Sequence, residues 1–356
     1  MSIPPDPPVV ARASRWYRAW KVGRYVFGLL GAGAAIWAIT GKTDELSGAS
    51  TYLAKIRWEW VVIALAAEAA SYLSYAASQR RLLLAGRIRV SMVPMTGICL
   101  AGNAIQSSLP GGVVFYAAYT FRQYRRFGAD DVLSGWTLIA FNAVSFIALS
   151  VLATVGLGMA LGAGSELDLV EVILGVVVVA ALLVVVWIER ARLLPHFARA
   201  IRLSQRLIGR PSPAVPAERL VDGWLERIGS VSPGRTDWAW ASALAMGNWA
   251  ADCGCLTLAF LAVGAGVPWR GLLLAYGAGQ LASILPVSPG GLGVVEGSLT
   301  VALVTFGGAQ ASTVAAVLLY RVISFWLILP VGWGAWGALA LVSRRHREPQ
   351  LETSTA

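Results

Sequence analysis

The sequence predicts an all-α polytopic membrane protein, with about six full transmembrane helices and two oppositely oriented re-entrant hairpins in an inverted repeat. Three observations predict it. The chain of 356 residues is 57% hydrophobic and only 13% charged, where a soluble domain carries about 25% charge. Several apolar runs exceed the roughly 18 residues that mark a bilayer-crossing helix. A Pro-Gly-Gly break recurs in each half, Pro110-Gly111-Gly112 and Pro289-Gly290-Gly291, and each is followed 32 residues later by a polar residue at bilayer depth, Asn142 and Arg321.

Residues 1–23 form a basic cytoplasmic N-terminal segment, Pro-rich at its start and containing Arg12, Arg15, Arg18 and Lys21. Span 1 follows over about 24–41. It is long enough to remain a span, and no small-x-small cleavage site follows it, which argues against a secretory signal. Span 2, about 58–79, returns to Arg80-Arg81. The apolar stretch 92–120 has arginines on both flanks, Arg87 and Arg89 before it and Arg122, Arg125 and Arg126 after it. Both flanks are therefore placed inside. About 29 residues cannot make two full crossings, so this stretch reads as a hairpin turning at Pro110-Gly111-Gly112. Span 3, about 132–160, reaches an acidic loop with Glu166, Asp168 and Glu171, and span 4, about 171–188, returns.

Residues 189–237 are a cytoplasmic linker with nine Arg. Pro195 to Ile208 within it reads either as an amphipathic surface helix or as solvated linker. Span 5, about 238–263, leads outward. The apolar residues 270–306, broken at Pro286-Val287-Ser288-Pro289-Gly290-Gly291, have both flanks outside and make the second hairpin. Span 6, about 314–342, returns to a cytoplasmic tail, 343–356. With this topology 24 of the 29 Lys and Arg lie inside, so the net charge of +10 is a positive-inside bias rather than a nucleic-acid footprint. It also supplies some attraction for anionic lipid. Both termini are cytoplasmic, in a multi-pass protein of the cell (inner or plasma) membrane.

The repeat aligns without gaps at an offset of 179, with seven identities over 37 positions that include Phe127-Gly128 with Phe306-Gly307 and Ser145-Phe146 with Ser324-Phe325. Half 1 covers about 58–160 and half 2 about 238–342. Their opposite orientation is a known transporter plan, with the site at the repeat interface near the midplane.

Non-helical backbone at bilayer depth survives only where protein buries it or a cavity hydrates it. The Pro-Gly-Gly breaks therefore mark a ligand-lined cavity or a packed hairpin turn. Gly293, which follows the second break, adds to its conformational freedom, and a half-helix N-terminus there can face a phosphate. The intramembrane ionisable residues are Glu68, Asp252, Glu296 and Arg321. Such residues are costly in lipid and default to functional candidates. Arg321 is the one charge between Ala309 and Val342. It can hold a lipid phosphate through its planar fork, or form an ion pair with Glu296 or Asp252. Glu296 can meet a cationic headgroup, take up a proton or neutralise Arg321. Asn103, Gln106, Asn142, Asn248 and Gln280 can line the same space or make interhelical hydrogen bonds. Cys99, Cys253 and Cys255 read as small buried hydrophobes, and Trp58, Trp60, Trp238, Trp240 and Trp269 as interfacial belts. No nucleophile elbow, Walker motif or His-rich metal pattern occurs in the sequence, so no catalytic residue, metal or cofactor is expected.

Leu285-Pro286-Val287-Ser288-Pro289-Gly290-Gly291-Leu292-Gly293-Val294-Val295-Glu296, with the downstream Leu319-Tyr320-Arg321 and Phe325-Trp326, resembles the lysylphosphatidylglycerol synthase transmembrane region, also called the flippase-like domain. Asn103 to Gly112 is similar to that family's weaker first-half motif. The resemblance covers roughly 20–342 and makes 24–342 one flippase-like transmembrane domain. It implies a stand-alone, non-enzymatic transporter without the soluble synthase domain. The substrate would be a phosphate-bearing lipid: a phospholipid, an aminoacyl-phospholipid, or a polyprenyl-phosphate or glycolipid. The alternative is a non-transporting membrane subunit that presents lipid to a partner glycosyltransferase or lipid synthase. The sequence leaves the lipid, direction, coupling ion and oligomeric state open.

Overall fold

The computed structural model describes residues 50, 52–109, 112–161, 233–283 and 289–345. Spans 1 and 4, the amphipathic stretch 195–208, most of the linker and both terminal segments lie outside the described residues, as do Pro110, Gly111, Pro286 and Ser288. Every regular element among the described residues is helical. These are α1 (Trp58–Ala85), α2 (Met92–Ser108), α3 (Gly112–Arg126), α4 (Asp131–Leu161), α5 (Arg235–Ala262), α6 (Trp269–Ser283), α7 (Val294–Thr305), α8 (Gln310–Arg321) and α9 (Ile328–Arg345). A 3-10 turn, Pro289–Gly291, precedes α7, and a π-helical turn, Val322–Trp326, joins α8 to α9.

Among the described residues four stretches are long and apolar enough to cross a bilayer: α1, α4, α5 and the combined 310–342. They correspond to spans 2, 3, 5 and 6, with α5 starting three residues earlier than the sequence suggested. Their outer faces carry exposed Val62, Ile63, Leu73, Val151, Val155, Leu341 and Val342. Apolar surface on all sides is what lipid contact requires. Trp58, Trp240 and Trp269 stand exposed at helix starts.

The hairpin helices are short. α2 and α3 have 17 and 15 residues, α6 and α7 have 15 and 12. At 1.5 Å per residue they reach only about 18–26 Å, less than the roughly 30 Å hydrocarbon core.

Helices α1 and α5 pack along their length, antiparallel. The Arg57 amide donates to the Ala262 carbonyl (2.9 Å) at one end. Arg81 pairs with Asp237 (2.9 Å) at the other. Between them Ser78 Oγ donates to the Ala241 carbonyl (2.9 Å), and Asn248 Nδ2 to Ser71 Oγ (2.6 Å). The hairpins are exchanged between halves. α2, from half 1, packs on α9 of half 2, and α6, from half 2, packs on α4 of half 1.

Small residues permit both crossings. A Cβ on Gly332 of α9 would lie 2.3 Å from the Leu100 carbonyl oxygen of α2. One on Gly156 of α4 would lie 2.4 Å from the Leu274 amide of α6, and one on Gly277 of α6 would lie 2.8 Å from Ala153 Cβ. Ala153 and Gly332 are equivalent positions at the 179-residue offset. One core gathers the inner faces of α5–α8, including Phe260, Tyr276, Leu299 and Tyr320. A second gathers α1–α4 around Leu82, Met95, Ile98 and Tyr124. Cys99, Cys253 and Cys255 are buried and unpaired in these cores.

Candidate functional site

The second break is built by glycine backbone. Gly290, Gly291 and Gly293 have φ of 62°, 69° and 79°, in the left-handed region that costs an L-residue roughly 1–2 kcal/mol. Gly290 also leaves no room for a side chain. A Cβ there would sit 2.2 Å from Phe325 Cε2 and 3.3 Å from the Ser107 carbonyl oxygen. Ser107 lies in the last turn of α2, so the end of α2 meets the second break at Gly290. Trp333 Nε1 donates to Ser108 Oγ (3.2 Å) beside this meeting point. In the first hairpin Gly112 is equally constrained, since a Cβ would lie 1.9 Å from the Gln106 carbonyl oxygen. Asn103 Oδ1 accepts a hydrogen bond from Ser107 Oγ one turn on (3.4 Å).

Arg321 reaches across the second break. Its Nε donates to Glu296 Oε1 (2.6 Å) and a terminal nitrogen to the Gly290 carbonyl (3.1 Å). Its guanidinium lies 4.4 Å over the Phe325 ring. Glu296 Oε2 accepts the Gly293 amide (2.7 Å) and so caps α7, where a carboxylate also meets the positive end of the helix dipole. Arg321 is 8% exposed. Of the two acidic partners the sequence offered, the structure pairs it with Glu296. Arg321 closes α8 where the π turn begins, and the Leu327 amide donates to the Val322 carbonyl (2.9 Å) instead of one residue later. Such wide turns are frequent at functional sites.

Asp252, on α5, is held by three donors. Tyr276 Oη donates to Oδ2 (2.6 Å), Gln280 Nε2 to Oδ2 (3.1 Å), and Tyr320 Oη to Oδ1 (3.0 Å). Gln280 also donates to Tyr320 Oη (3.1 Å). Composition and spacing alone assign Tyr276 and Tyr320 no role. A signal existed: Tyr276 and Gln280 share a helix face at i, i+4, and Tyr320 adjoins Arg321. Glu68 on α1 is 4% exposed and lies within hydrogen-bonding reach of Asp252 and Cys255.

The structure thus brings together Arg321, Glu296, Gly290, Gly291 and Gly293 at the turn, with Asp252, Gln280 and Glu68 beside them. Asn248 lies apart from them, tying α5 to Ser71. Asn142, which aligns with Arg321 at the 179-residue offset, is exposed and donates to the Leu138 carbonyl of its own helix (2.7 Å). The Pro289 backbone opens the 3-10 turn.

Helices apolar on every side, broken half-length helices and an ion pair buried among them define an integral membrane protein. The chain belongs to the family of the lysylphosphatidylglycerol synthase TM region, whose profile matches residues 25–332. It is similar to two UPF0104 membrane proteins of Methanothermobacter thermautotrophicus (strain Delta H). One is 37% identical over 82 residues, 23% of each chain. The other is 33% identical over 91 residues, 25% of this chain and 27% of the relative. The matched part spans about a quarter of those relatives' length.

Proposed function

We propose that this chain moves a phosphate-bearing lipid between leaflets, passing the headgroup along the junction of two re-entrant hairpins while the tails stay in the bilayer. The observation that carries this is the meeting of Ser107 with Gly290 beside the buried Arg321–Glu296 pair. Half-length helices from two exchanged hairpins end there, so irregular backbone and one cation occupy the same place. In a transporter built from inverted repeats this is where substrate binds.

On this reading hairpin 1 enters from the cytoplasm and hairpin 2 from outside, between six full spans, with both termini inside. A phosphate reaching the junction competes with Glu296 for Arg321. Glu296 can yield because the Gly293 amide still satisfies one of its oxygens. Arg321 offers the planar two-donor geometry that suits a phosphate. The chain then acts on its lipid by binding and release, without covalent chemistry.

Purified protein in liposomes with headgroup-labelled phospholipids tests the proposal. Lipid exchange between leaflets that depends on Arg321 supports it. Exchange no faster than in empty liposomes, for phospholipid and polyprenyl-phosphate alike, would leave the lipid-presenting subunit as the better reading.

A further inference from the structure

The mechanism above uses Arg321 and Glu296 and leaves two intramembrane acids unexplained. Glu68 on α1 and Asp252 on α5 lie at the same level of the central antiparallel helix pair, between the Ser71–Asn248 bond and the Arg57–Ala262 bond. Asp252 accepts from three donors, Tyr276, Tyr320 and Gln280, the pattern of an ionised carboxylate. Glu68 Oε2 is buried and receives no hydrogen bond from the described residues. A second ionised carboxylate there would have no donor for that oxygen and a like charge as its neighbour.

The other titratable groups facing the pair cannot relieve it. Tyr72 on α1 and Cys253 and Cys255 on α5 are a phenol and two thiols, which bring no positive charge to the pair. Tyr276 and Tyr320 already spend their protons on Asp252. Arg321 lies within electrostatic reach of Asp252, but its nearest acid is Glu296. Among the described residues one cation therefore faces three acids in this layer, and like-charged carboxyls at contact cannot both ionise.

We infer that Glu68 and Asp252 form a proton-binding site that holds one exchangeable proton, carried by Glu68, and that this proton is the coupling ion of the chain. The coupling half rests on the lipid-transport reading. Its structural basis is the neighbouring pair Tyr320 and Arg321 on α8. The first touches Asp252 and the second touches Glu296 and Gly290. An anionic headgroup at Arg321 adds negative charge to the layer, so headgroup binding and protonation of the pair favour each other, and this linkage is reciprocal. The proton is taken from water on one face and returned to water on the other. Only the Glu68 O–H bond forms and breaks.

Two measurements test the site and the coupling separately. Infrared spectroscopy of the protein in phosphatidylcholine nanodiscs should show a deuterium-sensitive protonated-carboxyl band at neutral pH. It should be lost in Glu68→Gln and unchanged in Glu59→Gln, which alters an exposed acid on the same helix. No such band in the wild type, or a band unaltered in both Glu68→Gln and Asp252→Asn, overturns the proton site. In vesicles holding labelled phosphatidylglycerol, a pH gradient of one unit should sustain up to roughly a tenfold leaflet ratio for one proton per lipid. Equal distribution under that gradient, with lipid movement intact, overturns the coupling. A band with no lipid movement at all overturns the transport reading and leaves the proton site standing.

Discussion

Removing one member of the Arg321–Glu296 pair should destabilise the protein far more than removing both. Arg321→Met deletes the 2.6 Å ion pair, the 3.1 Å bond to the Gly290 carbonyl and the contact with Phe325. It strands Glu296 with only the Gly293 amide. Breaking a buried pair costs about 3–5 kcal/mol. The side chains of Arg321 and Glu296 are 9% and 20% exposed, so the low end, about 3 kcal/mol, applies to each single change. In Arg321→Met with Glu296→Gln no charge is left unpaired and the amide can still cap α7, so the loss should fall to about 1 kcal/mol, a lost neutral hydrogen bond. The coupling is then several kcal/mol, readable as a double-mutant cycle of reversible unfolding in mixed micelles. Single variants that each cost under about 1 kcal/mol and add in the double would refute a structural ion pair. Lipid exchange in the same variants separates structure from transport. Arg321→Lys should keep much of the stability and lose much of the transport, because an ammonium lacks the planar fork. Full transport in the charge-free double would refute phosphate binding by Arg321.

Two further outcomes are expected. Alanine at Gly293, where a Cβ meets nothing within 4 Å, should cost only backbone strain, about 1–2 kcal/mol. Alanine at Gly290 should cost more and impair lipid exchange, because it displaces Phe325 from beneath Arg321; equal stabilities for the two variants would contradict the close contact at Gly290. Accessibility tags at residues 86 and 129 should report the cytoplasmic face and one near Gly164 the opposite face. Finding 86 and 129 on different faces would remove the re-entrant reading of the first hairpin.

What the sequence made legible follows from what is written along one chain. Spans 2, 3, 5 and 6 showed because apolar length alone marks them. The second turn showed because Pro289-Gly290-Gly291 interrupts an apolar run. Arg321's choice of Glu296 over Asp252 did not show, because the rotation of one helix against another is absent from spacing. Nor did the π turn, since Val322-Ile323-Ser324-Phe325-Trp326 contains neither Pro nor Gly and reads as plain helix. The exchange of hairpins was equally hidden. It depends on Gly156, Gly277 and Gly332, which look like any of the 38 glycines until their neighbours are known. The repeat aligns Asn142 with Arg321, yet the asparagine satisfies its amide on its own helix.

The exchange of hairpins also dictates a schedule for biogenesis. Helix α2 cannot settle against α9 until α9 has been made, and roughly 220 residues separate them, or about 10–45 s of synthesis at ordinary rates. Throughout that interval the face of α2 that packs on α9 lacks its partner. The same dependence forbids either half from maturing by itself. The two halves made as separate polypeptides should accumulate only when expressed together, and a ribosome that stalls before Ile328 leaves an orphan for the quality-control proteases.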